Sequence, residues 1–245
     1  MTRIICVASG KGGVGKTTVT ANLSAALARM GLSVVAVDAN ITTSNLGIHL
    51  GIPLYPVTLQ DVLKGDAKLR QALYHHPAGF RILPADVSID KLLLPDKNDL
   101  VDVFYKIADA DYVLIDTAAG LGKDALATVE AADELLIVTN PDLPSLTDAV
   151  KLARFAEEFE TATAGVVLNR VKYRSYEIHP LEVEKFLGIP LVGLVEEDDA
   201  VKKALALKVP VTHFSPYSRA SREFMRIASR LSGTPYQERK RFWFF

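Results

Sequence analysis

Within ten residues, Ser9-Gly10-Lys11-Gly12-Gly13-Val14-Gly15-Lys16-Thr17-Thr18 brings together two lysines, three hydroxyls and four glycines. From Gly10 to Thr17 the order is G-x-x-x-x-G-K-T, the spacing of a phosphate-binding loop. Glycines let successive backbone N–H groups turn toward one anion, and a helix that starts there adds its positive end. In such a loop the amides of Gly10, Gly12, Gly13, Val14, Gly15 and Thr18 surround the phosphates. Lys16 supplies charge to the β- and γ-phosphates, and the hydroxyl of Thr17 can ligate Mg²⁺. Lys11 is a second cation that the loop does not need, so it is open to the phosphates of its own subunit or of a partner.

Further polar residues stand where apolar runs end. Asp38 follows Val34–Val37 and could hold Mg²⁺ through water. An aspartate there also suits a turn or a helix cap. Asp116 ends Tyr112–Ile115, as an acid that binds Mg²⁺ would. Gly120, four residues on, can place its N–H on a γ-phosphate. Asn169 ends Val166–Leu168, and its amide offers the donor and acceptor that suit the edge of a base. Asn169-Arg170-Val171-Lys172 lacks the acid that a guanine-selective N/T-K-x-D would carry, which points to adenine.

The loop K-G-G-V-G-K-T-T resembles that of the deviant Walker A family, which includes the MinD and ParA ATPases, and is nearest to the MinD branch. The resemblance implies a P-loop fold, ATP or ADP with Mg²⁺, and an ATP-dependent homodimer in which Lys11 reaches across to the other subunit. It makes the stretches from Asp38 and from Asp116 two switch regions, with Thr17, Asp38 and Asp116 around the metal. Asn169 with Arg170 would read adenine. Glu197 and Asp198 would flank the ribose and base, and Pro210 would pack on the base. It implies slow or partner-stimulated ATP hydrolysis, with Lys11, Lys16, Asn40 and Asp116 as the catalytic group, in a switch for spatial organisation such as division-site placement.

Many members carry an aspartate two residues beyond Asp38 to orient water, and this chain has Asn40. An amide can hydrogen-bond water but cannot take its proton as a base. A nucleotide-sensing interaction protein with little turnover is therefore the alternative reading. A metallocluster scaffold is disfavoured, because the single cysteine, Cys6, lies in the first apolar strand.

Positioning these residues requires a regular scaffold. Strand-length runs at Ile4–Ala8, Ser33–Val37, Phe80–Pro84, Tyr112–Ile115, Glu134–Thr139, Ala164–Leu168 and Pro190–Leu194 alternate with helix-like segments. That order predicts an α/β fold: a mostly parallel central sheet with helices on both faces, its ligand beyond the carboxyl ends of the strands. Helices are expected over Val19–Met30, Asn98–Ala110, Asp124–Ala131, Leu146–Glu160, Pro180–Leu187, Ala200–Leu207 and Arg219–Leu231, with a capped short one from Thr58. Asp148, Lys151 and Arg154 are expected on the exposed face of their helix, either as a solvated surface or, by resemblance, as a partner surface. His75 and His76 read as surface residues.

The 245 residues, with 49% hydrophobic and 23% charged, suit one large domain, placed at residues 1–235. Net charge is −1, so no polycation for nucleic acid is present and no sequence-specific nucleic-acid partner is expected. One cysteine allows no intramolecular disulfide. The first apolar run is short and enters the loop, so a signal peptide is not expected and the cytoplasm is the expected compartment. Residues 236–245 form a tail that ends Arg239-Lys240-Arg241-Phe242-Trp243-Phe244-Phe245. Three cations followed by four aromatics suit weak association with an anionic membrane.

Overall fold

The structure is a computed structural model that describes residues 2–41, 43–52, 54–86, 97–107 and 109–238. Its first half runs β1 (Arg3–Ala8), α1 (Lys16–Arg29), β2 (Val34–Asp38), α2 (Leu46–His49), α3 (Leu59–Leu63), α4 (Leu69–Ala72), β3 (Tyr74–His75), β4 (Arg81–Leu83), α5 (Lys97–Tyr105) and β5 (Tyr112–Asp116). It continues with α6 (Lys123–Glu130), β6 (Glu134–Thr139), α7 (Leu143–Glu158), β7 (Ala162–Val171), α8 (Pro180–Leu187), β8 (Leu191–Glu196), α9 (Asp199–Ala206), α10 (Val211–Phe214) and α11 (Arg219–Ser232). The strands form one sheet in the order β3-β4-β2-β5-β1-β6-β7-β8. Every neighbouring pair is parallel except β3 and β4.

Alternation along each strand divides the core into two layers. Ile5 and Val7 of β1 and Leu114 of β5 pack with Leu23 and Leu27 of α1 and with Phe224 and Ile227 of α11. Ile4 and Cys6 point the other way, toward Leu100 and Phe104 of α5 and Leu152 of α7. Cys6 is fully buried, as its place in the first strand suggests, and burial pushes its thiol pKa up, so it is an inert apolar side chain. In α11, Phe224, Ile227, Ala228 and Leu231 are all buried, and Gly233 ends the helix at a left-handed φ of 69°. Thr58 caps α3 through Asp61, whose carboxylate accepts from the Thr58 N–H at 2.8 Å.

Three expectations need correction. Tyr74-His75 is an edge strand, and His76 is buried with its ring stacked on Phe80 at 4.7 Å; only His75 is at the surface. β7 runs on past Asn169 to Val171, with a bulge at Asn169/Val171 that puts Arg170 in the left-handed region at φ 58°. Lys151 and Arg154 are exposed, but Asp148 is partly covered and pairs with Lys151 at 2.9 Å. Among the described residues no helix is long and apolar enough to cross a membrane. Arg239 to Phe245, the basic and aromatic part of the tail, lies outside the described residues.

Candidate functional site

Parallel pairing assembles the site. β1 leads directly into the glycine-rich loop, and the register sets Val7 beside Asp116 and Asp38 beside Asp116. Two carboxylates from neighbouring strands therefore end under the loop. Close packing explains two of its glycines. A Cβ on Gly10 would lie 2.5 Å from the Cβ of Asp148 in α7. Gly15 has φ 103°, and a Cβ there would lie 2.3 Å from Asn169 Nδ2. α1 starts at Lys16, three residues earlier than the periodicity suggests, and has no acid in its first turn, so its free amides face the loop unopposed.

Lys16 is buried, and desolvation lowers its pKa while the Asp116 charge acts to restore it. Both Asp116 carboxylate oxygens are buried without a hydrogen-bond partner among the described residues. Its pKa is raised to about 7, first by burial and then by the Asp38 charge; nearby Thr17, Lys16 and Thr20 oppose the rise. Orphaned carboxylate oxygens beside a threonine hydroxyl suit a hard cation such as Mg²⁺, which takes oxygen ligands and would relieve the repulsion. The residues present thus fit the metal that the loop sequence implies.

Asp38 is differently placed. It accepts from Ser44 Oγ at 2.7 Å and from the N–H groups of Asn40, Asn45 and Leu46 at 3.1, 3.2 and 3.0 Å. Burial still raises its pKa to about 6 against those four bonds. With these bonds it anchors the following loop and the start of α2, the turn-and-cap alternative open from the sequence. Asn40 is buried, and its Oδ1 accepts from Thr43 N–H at 3.2 Å and Thr43 Oγ at 3.0 Å. Its amide oxygen is turned into its own loop.

Gly120, at φ 90°, donates its N–H to the Ser9 carbonyl at 3.0 Å and so ties the loop after β5 to the phosphate loop. Contact with a γ-phosphate requires that bond to open. Lys11 is half-exposed, its Nζ 3.9 Å from Oδ1 of Asp142, a loose pair that leaves the ammonium able to reach outward. Asp142 also caps α7 by accepting from Ser145 N–H at 2.9 Å.

Beyond the first turn of α1, a cavity of about 220 Å³ is lined by residues that include Thr18, Asn169, Arg170, Val195, Glu197 and Asp198. Asn169 donates from Nδ2 to the Val14 carbonyl at 2.8 Å, so it holds the loop as well as facing the cavity. Glu197 pairs with Lys172 at 2.9 Å and Lys202 at 3.3 Å on the rim. Asp198 caps α9 through Ala200 N–H at 2.9 Å and accepts from Ala220 N–H at 3.2 Å. Pro210 lies in a smaller adjoining pocket with Thr18, Asn22 and His49. Sequence reasoning assigned no role to Ser44, Thr20 or Asp142. Only Asp142, a capping residue before a proline-started helix, carried a local signal.

The site and sheet define a P-loop nucleotide-binding protein. The chain belongs to the CobQ/CobB/MinD/ParA nucleotide-binding domain family (CbiA), which it matches over residues 5–211. It is 39% identical to an uncharacterized ATP-binding protein of Methanocaldococcus jannaschii, over 95% of this chain and 89% of that one. It is 32% identical to the septum site-determining protein MinD of Thermotoga maritima, again over 95% and 89%. Among solved structures it is similar to the septum site-determining protein MinD complexed with Mg-ADP from Pyrococcus horikoshii: TM-score 0.90, 36% identity, 94% of this chain and 96% of that one.

The raised carboxyls give the nucleotide-free protein a pH dependence. Between the ordinary aspartate range and about pH 7 the folded state binds more protons than the unfolded state, so this pair lowers stability as pH rises through that window. Asp116→Asn, which cannot ionise, should raise the melting temperature of the metal-free protein by a few degrees at pH 8. The gain should fade by pH 5. Thermal melts of both proteins across that range check the sign.

Proposed function

We propose that this chain is a Mg²⁺-ATP-dependent molecular switch with slow or partner-stimulated ATPase activity, in one domain over residues 1–235 followed by the tail. The observation that carries this reading is the buried Lys16 beside the unpaired carboxylate of Asp116, beneath a glycine loop at the start of a helix. Thr17, Asp38 and Asp116 would hold Mg²⁺, with Asp38 released from its loop; the ion, when bound, offsets phosphate charge. Lys16 and the loop amides stabilise negative charge on the phosphoryl group without reorganising at the moment of reaction. Asn169 and the cavity beside it take adenine, with Arg170, Glu197 and Asp198 at the rim and Pro210 one pocket further.

Nucleotide state would reach the surface through the loops after Asp38 and Asp116, with Gly120 exchanging the Ser9 carbonyl for phosphate. Lys11 would contact the phosphates of a second copy in an ATP-sandwiched homodimer. The role would be cytoplasmic and one of spatial organisation, such as division-site placement, a reading supported by the likeness to MinD proteins, one of which is solved as a MinC:MinD cell division complex from Aquifex aeolicus, 30% identical over 98% of this chain. The protein partner of this chain is unidentified, and the tail would add a peripheral hold on anionic membrane.

Light scattering with and without Mg²⁺-ATP tests the cycle. ATP should convert monomer to dimer, and Lys11→Ala should remove the dimer while leaving ATP affinity of the monomer within about threefold, since the half-exposed ammonium is not part of the buried cradle. A wild-type protein that stays monomeric with ATP bound would refute the dimer.

The buried, loop-bound amide of Asn40 favours one second reading, a nucleotide-sensing protein that binds a partner with little turnover. Among the relatives, the antiactivator FleN of Pseudomonas aeruginosa is 34% identical over 95% of this chain. ATP binding without phosphate release would select this reading.

A further inference from the structure

Asparagine is a poor residue for the inside of a helix, because its side chain competes for backbone hydrogen bonds. Asn22 nevertheless sits buried within α1. Both polar atoms of its side chain are used. Nδ2 donates to the Thr18 carbonyl at 2.8 Å, and Oδ1 accepts from the Thr212 N–H of α10 at 3.2 Å. A carbonyl only accepts and an N–H only donates, so a single orientation of the amide satisfies both. Arg29, at the end of α1, donates to the Thr212 carbonyl. The two backbone groups of Thr212 are therefore both bound to α1.

The chain that Thr212 anchors leads back to the cavity beside Asn169. Phe214 N–H donates to the Pro210 carbonyl at 2.9 Å, and Val209 N–H donates to the Ala204 carbonyl of α9 at 3.0 Å. α9 lines that cavity through Val201, Lys202 and Leu205, and α1 lines it through Thr18. Thr18, Val201 and Leu205 also line the smaller pocket that holds Asn22 and Pro210. The start of α9 is pinned separately, by Asp198 to Ala220 at the head of α11. Asn22 pins its other end.

We propose that Asn22 is a positioning residue for the base: by tying Thr212 to the first turn of α1 it holds α9 and Pro210 at a fixed distance from Thr18, and so sets how much of the nucleotide affinity comes from the base rather than from the phosphates. This rests on the adenine-nucleotide reading above. The phosphate loop has supports of its own, the Asn169 bond to the Val14 carbonyl and the packing of Gly10 on Asp148, and neither passes through Asn22. Without the bridge the wall is free to move away from α1, and a base binds only in those molecules whose wall is closed.

Asn22→Ser removes the bridge and keeps the bond within the helix. In α1 the Thr20 and Ser24 hydroxyls already donate to the carbonyls of Lys16 and Thr20, at 3.1 and 2.8 Å. The new hydroxyl can do the same to Thr18, yet is too short to reach Thr212. Titration calorimetry compares Mg²⁺-ATP with Mg²⁺-tripolyphosphate, which has neither base nor ribose. Asn22→Ser should weaken ATP about tenfold, the loss expected if the unpinned wall is closed in roughly one molecule in ten, and leave tripolyphosphate within about twofold. An equal loss for both ligands, as a merely structural role would give, or no loss for ATP, would overturn the proposal. Should Asn22→Ser fail to fold, hydrogen exchange on the wild type decides: Mg²⁺-ATP should slow exchange of the Thr212 amide and Mg²⁺-tripolyphosphate should not, and equal or absent responses overturn it. A wild type that binds ATP no more tightly than tripolyphosphate would refute the base-cavity reading, and the proposal with it. A wild type that prefers ATP, with the same preference in Asn22→Ser, refutes the proposal alone.

Discussion

Lys16→Ala is expected to lower the affinity for Mg²⁺-ATP by about a hundredfold or more, near 2.8 kcal/mol. Removing one member of a buried charged contact costs about 2–5 kcal/mol, because the remaining charge keeps its desolvation cost without a partner. Lys16 is buried beneath the loop, where desolvation depresses its pKa and the Asp116 charge opposes that fall, so an anion at the loop would meet a side chain with little water left to lose. The Asp116 carboxylate beneath it would lose its nearest cation as well. Titration calorimetry on the folded variant checks the loss. Affinity within threefold of wild type would remove the loop from the account of binding.

Gly15→Ala is expected to be strongly damaging, for two independent reasons. At φ 103° an alanine is strained by about 1–2 kcal/mol. Its Cβ would also stand 2.3 Å from Asn169 Nδ2, which must move and give up its 2.8 Å bond to the Val14 carbonyl, at about 1 kcal/mol or more for a buried group. Together these should lower the melting temperature by about 5–10 °C and empty the adenine cavity of its anchoring amide. Gly12→Ala is the control. A Cβ there meets only the Ala119 Cβ at 3.7 Å, an ordinary contact, so its melt should stay close to wild type. Equal losses in the two variants would show that backbone strain and Asn169 are not the cause.

The strands and the residues at their ends were legible because each signal is local. Apolar runs of strand length ending in Asp38, Asp116 and Asn169 mark the carboxyl edge of a parallel sheet, and the loop sequence marks where phosphate goes. What stayed hidden depends on contacts distant in sequence. Gly10 is glycine because of Asp148 in α7, and Gly15 because of Asn169 in β7. His76 reads as a surface histidine because a two-residue strand has no periodicity to reveal which side faces in. Asp38 was readable as a metal ligand or a cap. Its observed role as an anchor depends on the chain returning at Ser44, Asn45 and Leu46, a loop geometry that no pattern of residue types announces. The bulge that turns Arg170 outward likewise arises from β7–β8 register, not from its own sequence.

The most direct test of an ATP-hydrolysing switch is steady-state phosphate release at saturating Mg²⁺-ATP, with Lys16→Ala as the blank and Asn40→Asp beside it. The expected result is a slow wild-type rate above the blank, and a faster one in Asn40→Asp, where a carboxylate replaces an amide held by Thr43. A wild-type protein that binds ATP yet releases phosphate no faster than the blank would contradict the hydrolytic cycle and leave a nucleotide-bound interaction protein in its place.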